Sequence, residues 1–489
     1  MLSDGGIQTQ KITLNESSMW SGSVDSTAWN PEAVKHLPAI RQLLLSGKPK
    51  EAEDLIYRTF VCGGEGSGRG NGANVPYGSY QVGGFLRLGW GKAPSPSRYR
   101  RSLSLTEGVS EETCDVGAQP YRTKRLYSAF GRDVQVVSLT NHSDESRRDT
   151  LRLTLDRPEH GRSSVGAGYL MLTGQLPDGR GGKGLRYAIV VRPVLPQGGK
   201  LIARESELLI VDAPKVNLYI AHNTNYYNKR AALVALGVEQ LLEAEAQGEE
   251  KIYEAHKRQF SARMDRVKLH LDGGDASHLG LPIDQRLTAY HEHPEADPAL
   301  ASLYLQLGRY LLISSTRPGA LPPNLQGLWT ETIQAPWNGD YHLNINLQMN
   351  YWPAEKGALP ETLSPLTDWI ESIVPSGEKT ARTFYGAKGW VTHVLGNVWQ
   401  FTAPVEHPSW GATNTSAAWL CEHLFNHYRY SQDRTYLERI YPVMQGAARF
   451  FLTTLVRDPK TQYLVNVPTT SPENSYYTPE GQEVAVAAG

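Results

Sequence analysis

The spacing of apolar residues changes close to residue 225, and that change limits the folds open to this chain. Before it, "RDVQVVSLTN" (132–141), "TLRLTLDR" (150–157), "GYLMLTGQL" (168–176), "RYAIVVRPVL" (186–195), "ELLIVD" (207–212) and "VNLYIA" (216–221) are short alternating or β-branched runs with turn residues between them. Period two sends alternate side chains to opposite faces, so these runs predict strands half-buried in a sheet. No helical stretch separates them to make parallel crossovers, which points to an antiparallel β-sandwich.

Beyond residue 230 the spacing becomes helical. "NKRAALVALGVEQLLEAEAQGEEKIYEAHKRQFSARM" predicts a charged connector, and "LDGGDASHLGLPIDQRL" a loop-rich passage. In "DPALASLYLQLGRYLLISS" the stripe Leu300, Tyr304, Leu307, Leu311 predicts one helix face. Further helices are expected at 344–356, 360–373, 415–430 and 434–456. One helical stretch comes early, at 30–60, where Val34, Leu37, Ile40 and Leu44 share a face and Pro31 suits a first turn. The expected fold is therefore multidomain β + α: an N-terminal antiparallel β-sandwich over 1–225 with a helical insertion near 31–60, a helical linker and connecting segment over 226–285, and a helical unit over 286–489. Its long, aromatic, Pro-rich loops fit a toroid of helices better than a compact bundle.

Bulk properties remove several function classes. Lys+Arg 49 against Asp+Glu 50 offers no cationic footprint for nucleic acid. No apolar segment is long enough for a membrane span. Cys62, Cys114 and Cys421 are scattered, so neither a disulfide framework nor a metal cluster is encoded. The opening lacks a signal-peptide pattern, its first residues read as mid-strand, and the chain stops at "EGQEVAVAAG" without a terminal helix. A piece of a longer protein is the expectation.

Candidate chemistry concentrates in the inter-helix loops. "APWNGDYHLNINLQMNYWPAE" (335–355) sets Asp340, His342, Asn344, Asn346, Gln348 and Asn350 among Trp337, Tyr341, Tyr351 and Trp352. Buried amides cost a few kcal/mol unless paired, so they imply an internal network or a ligand that completes them. Aromatic faces stack on sugar C–H faces while amides and carboxylates match hydroxyls, which points to a carbohydrate pocket; ordered loops bonded only to one another are the plainer alternative. Glycoside hydrolysis needs a protonated carboxyl for the leaving oxygen. Glu473 in "TSPEN" is the candidate, because the apolar "YLVNV" before it would desolvate it. A surface turn is the rival reading. Glu331, Asp340, Glu355 and Glu406 cannot be ranked by spacing. Asn344 and Asn346 flank one Ile, and on an extended chain their carbonyls would face one side and hold a water. His423 and His427 lie at i,i+4 without a third ligand, a weak metal signal. "GGEGSGRGNG" (63–72) lacks the context of a phosphate loop and reads as a flexible connection.

These loops carry a resemblance. "LNESSMWSG", "SSTRPGALPPNLQGLW", "YHLNINLQMNYWPAE", "HPSWGATNTSAAWLCEHL" and "TSPEN" resemble glycoside hydrolase family 95, the inverting α-L-fucosidases and related α-L-galactosidases. The resemblance implies that the helical unit is a catalytic (α/α)6 toroid, here with its C-terminal part missing. It implies Glu473 as general acid and Asn344 and Asn346 as the water-positioning amides. His342 would contact the sugar near its C5 substituent, favouring the methyl of fucose over a hydroxymethyl. Asp340, Trp337, Trp329, Trp410, His407 and Asn324 would complete the substrate pocket. The implied reaction releases terminal α-linked L-fucose, α-1,2 in linkage, from an oligosaccharide or glycan, with neither metal nor other cofactor, in a secreted or periplasmic setting. The family's Asp that polarises the two amides has no matching segment in this chain; if turnover occurs here, Asp340 is first in line as base. The alternatives are a non-catalytic fucose- or galactose-binding remnant, and an α-L-galactosidase or a phosphorylase on the same fold.

Overall fold

The computed structural model describes residues 1–91, 94–144 and 149–489. Two antiparallel sheets occupy its N-terminal half. The first has six strands in the order β1 (Leu2–Ser3), β2 (Thr9–Leu14), β3 (Gly84–Trp90), β8 (Thr150–Asp156), β13 (Glu207–Val211) and β12 (Lys200–Ala203). The second has eight: β4 (Arg98–Ser104), β5 (Val109–Val116), β6 (Gln119–Ser128), β7 (Gln135–Asn141), β14 (Lys215–Thr224), β11 (Lys183–Val194), β10 (Tyr169–Pro177) and β9 (Gly161–Gly166). Leu14, Leu88 and Leu153 of the first sheet share a buried cluster with Val137, Ile189 and Leu218 of the second. Period-two alternation supplies those facing side chains.

Strands β4 to β6 escape a search for apolar alternation because their pairing is ionic. Glu112 lies opposite Lys124 in register, with the two charges 2.8 Å apart and both buried. Glu111 faces Arg125 in the same way at 3.2 Å. Opposite charges across a ladder stabilise it without leaving a hydrophobic signature.

Helices α1 (Ala33–Leu45) and α2 (Pro49–Thr59) interrupt the first sheet. They bury Leu37, Ile40 and Ile56 with Ala381, Phe384 and Phe450 of the C-terminal half, not with the strands. Helices α3 (Leu233–Gln247) and α4 (Glu249–Met264) lie on the outer face of the eight-stranded sheet, where Leu241, Ala244 and Ile252 meet Val136, Val190 and Tyr219. The expected connector is thus a covering layer whose charged face points to water.

The C-terminal half is helical: α5 (Ile283–Glu292), α6 (Ala299–Ser315), α7 (Asn346–Lys356), α8 (Ser364–Tyr385), α9 (Ser416–Ser431) and α10 (Arg434–Thr454). The buried face of α6 differs from the stripe read in the sequence. Arg309, Leu312 and Ile313 are buried, whereas Tyr304 is 76% exposed and Leu311 is exposed too. Arg309 decides the face, because its guanidinium donates to Arg263 O (2.7 Å), Met264 O (2.7 Å) and Gly357 O (3.0 Å), closing the ends of α4 and α7 around it. Among the described residues no helix is long and apolar enough to cross a membrane.

Candidate active site

The segment before α7 is shaped by backbone that side chains avoid. Trp337 (φ 48°), Asn338 (φ 61°) and Gly339 (φ 55°) are consecutively left-handed, a run that costs of order 1 kcal/mol or more per non-glycine residue and persists only where the surroundings impose it. Here Asn338 imposes it. Its Oδ1 accepts from Gly72 N (2.5 Å) and Gln334 Nε2 (2.9 Å), and its Nδ2 donates to Ser67 O (2.8 Å). The reversal leaves Trp337 66% exposed and directs the chain into β15 (Tyr341–His342), which pairs with β16 (Leu395–Gly396).

The glycine-rich stretch 63–72 is therefore a wall of this region and not a flexible connection. Gly66 and Gly72 are buried, and a Cβ at Gly66 would come within 2.5 Å of Glu406 Oε1. The following strap bonds to the same loop through Tyr80 N to Asn338 O (2.8 Å) and Val82 N to Thr332 O (3.0 Å).

Asp340 is 1% exposed. Its Oδ2 accepts from the Tyr77 hydroxyl (2.7 Å) and its Oδ1 pairs with His342 Nδ1 (2.5 Å). Both oxygens are thus hydrogen-bonded, one to Tyr77 and the other to His342. Burial holds the Asp340 carboxyl above its usual range, partly offset by His342 and Tyr77. For His342, burial lowers the imidazole, but the Asp340 hydrogen bond and charge, with the charge of Glu473, raise it overall.

Glu473 contributes to that rise through its charge. Its own loop hangs beside the 407–411 turn, with Thr470 Oγ1 donating to Ser409 O at 3.3 Å. The expectation of a desolvated Glu473 is not met. It is exposed, at φ 63°, on a turn closed by Asn474 N to Ser471 O (3.0 Å). The apolar run before it packs elsewhere: Leu464–Val465 pair with Val456–Arg457 and Val467 joins the Phe384 cluster.

The remaining candidates separate by what holds them. Asn344 Oδ1 is buried with no hydrogen-bond partner, as are Gln348 Oε1 and the Tyr351 hydroxyl. Asn346 is exposed at the first residue of α7. Asn324 is buried, its Oδ1 accepting from Gln326 N (2.8 Å), so it shapes its own turn; Leu325 N to Asp340 O (3.1 Å) ties that turn to the site. Trp329 is partly buried and covers Gly327. His407 is exposed, its ring 5.2 Å from that of Tyr57, and Trp410 packs on the Phe384 cluster. Glu331 turns away to Thr13 (2.7 Å) and Lys11 (3.1 Å), while Glu355 pairs with His427 (2.5 Å). His423 is spent on the carbonyls of Trp419 and Gln348. Glu406 accepts from Ser67 Oγ (3.1 Å) and keeps Oε1 buried without a partner.

Sequence reasoning missed Tyr77, Ser67 and Gly72. Only the density of glycines at 63–72 signalled close backbone approach, and nothing local named the partner some 266 residues away.

Residues 248–489 match the glycosyl hydrolase family 95 catalytic domain, and residues 2–229 the glycosyl hydrolase family 65 N-terminal domain. The chain is 28% identical to Alpha-L-fucosidase 2 of Arabidopsis thaliana, over 99% of its own length and 59% of that protein's. It is 31% identical to Probable alpha-fucosidase A of Aspergillus niger, over 96% of its length and 60% of that protein's. It therefore spans about three-fifths of the curated relatives it matches. Among solved structures, Putative kojibiose phosphorylase from human microbiome superposes with TM-score 0.53 at 10% identity, over 81% of this chain and 55% of that one, a likeness of fold.

Proposed function

We propose that this chain, which belongs to glycoside hydrolase family 95, takes a terminal α-1,2-linked L-fucoside of an oligosaccharide or glycan and hydrolyses it with inversion. In this reading Glu473 protonates the leaving oxygen, while Asn344 and Asn346 hold the attacking water. His342, fixed by Asp340, borders the C5 methyl. Trp337, Trp329, Trp410 and His407 line the approach. The observation that carries the proposal is geometric: His342 is held by buried Asp340 at 2.5 Å, two residues before the buried, unpartnered Asn344 Oδ1.

The helical half is read as part of an (α/α)6 toroid. The exposed apolar side chains of α5 and α6, Ile283, Leu287, Tyr304 and Leu311, support it, since helices of a closed ring bury both flanks. A second reading, sugar binding without turnover, draws on that same Asn344 Oδ1, which no group among the described residues engages.

Glu473→Gln tests the assignment. Fucose release from 2′-fucosyllactose should fall about 10²–10⁴-fold with sugar affinity nearly unchanged. Lost affinity with turnover kept would refute Glu473 as the acid.

A further inference from the structure

Tyr77 precedes most of the strands, yet its side chain ends inside the candidate site. Its hydroxyl lies 2.7 Å from Asp340 Oδ2 and 3.1 Å from Gly396 O. The ring is buried and held independently of that hydroxyl, edge-on to Phe401 at 5.0 Å, and the Tyr77 carbonyl accepts from Asn397 Nδ2 at 2.8 Å. The one proton of the hydroxyl goes to the nearer, charged acceptor. Without it, Asp340 Oδ2 would be a buried carboxylate oxygen with no donor.

We propose that Tyr77 is a positioning residue for His342, acting through Asp340. The inference rests on the reading of His342 as a sugar-contacting residue. One Asp340 oxygen is anchored by Tyr77, so the other meets His342 Nδ1 in a single geometry. A ring nitrogen's partner decides which nitrogen carries the proton; with Nδ1 committed, Nε2 is the atom turned to the substrate. His342 is bonded to Asp340 and feels the charge of Glu473; Tyr77 is bonded to Asp340 and feels the charges of Glu406 and Cys62 from the loops at 406 and 62. Residues from both halves of the chain, 263 positions apart, thus set one imidazole.

The test is the titration of His342 in the full chain, followed by NMR of its imidazole nitrogens and assigned by the signal lost in His342→Gln. In Tyr77→Phe the uncompensated Asp340 charge should bind the His342 proton more tightly, by about threefold, moving the midpoint up by about half a pH unit. Site-specific 3-fluorotyrosine at position 77, a stronger donor that leaves the ring in place, should move it down, and keeps the test decisive if the Phe variant does not fold. A midpoint that stays put or moves the other way in these variants overturns the relay. None of this needs turnover, so a failure of the fucosidase reading would appear separately, as a titrating relay in a protein that releases no fucose. If that reading holds, kcat/KM should fall about tenfold in Tyr77→Phe and in Asp340→Asn, and little further in the double variant, because both act through one contact. Additive losses would overturn the proposal.

Discussion

Asn338→Ala probes whether the glycine-rich stretch is a fixed wall. The substitution removes three hydrogen bonds, to Gly72 N, Gln334 Nε2 and Ser67 O. Gln334 has other acceptors in Gly70 O (3.0 Å) and Ala335 O (2.9 Å), so its loss is slight. The Gly72 N–H and Ser67 carbonyl are buried and would be left alone, at about 1–3 kcal/mol each. Alanine also tolerates φ 61° less well than asparagine, adding a few tenths to about 1 kcal/mol. The sum is roughly 2–7 kcal/mol, but it need not be realised in full. Residues 63–72 bury no large apolar side chain, so the stretch can open to water before the protein unfolds. The expected outcome is a stability loss of about 2–3 kcal/mol in urea titration, with the amides of Gly72 and Ala73 losing most of their hydrogen-exchange protection. Ala73 N rests on Gln334 Oε1 at 2.9 Å and reports the same opening. A loss below about 0.5 kcal/mol with Gly72 exchange unchanged would refute the reasoning.

Two further outcomes follow from the same geometry. His342 is raised in the fold, so the stability it adds is fully present below about pH 6.5 and is lost as pH rises through its folded value; the gap between wild type and His342→Gln should shrink over that rise. His393, buried between the Tyr385 hydroxyl and Thr402 O, is lowered to about 4, so the wild-type advantage over His393→Gln should instead shrink as pH falls from about 6.5 toward 4. Urea titrations at stepped pH check both, and a shared sign would contradict the assignments. Trp337→Gly should relieve the left-handed strain and stabilise the fold by about 1 kcal/mol while weakening 2′-fucosyllactose binding in calorimetry; unchanged affinity would remove Trp337 from the pocket.

Some of this is legible in the sequence. The strands at 135–141 and 150–156 and the helices at 416–431 and 434–454 follow from spacing alone, because each buries one face in a continuous core. The α6 stripe marks an apolar flank but not the face this half buries: Arg309, bonded to carbonyls at the ends of α4 and α7, turns Leu312 and Ile313 inward and leaves Tyr304 and Leu311 exposed. Strands β4–β6 were silent because charge pairs replace apolar alternation. Glu473 is singled out by its setting after an apolar run and by resemblance; the desolvation expected of it is not met, as the apolar residues before it pack away from the turn. Tyr77 was out of reach, because its hydrogen bond to Asp340 spans 263 residues of chain.

The central claim is that these residues carry out inverting hydrolysis of an α-L-fucoside. Proton NMR of 2′-fucosyllactose with the 489-residue chain, recorded faster than mutarotation, tests it most directly. The account predicts β-fucose as the first anomer to appear. First release as α-fucose, or saturation transfer to a bound sugar with no fucose formed, would contradict it.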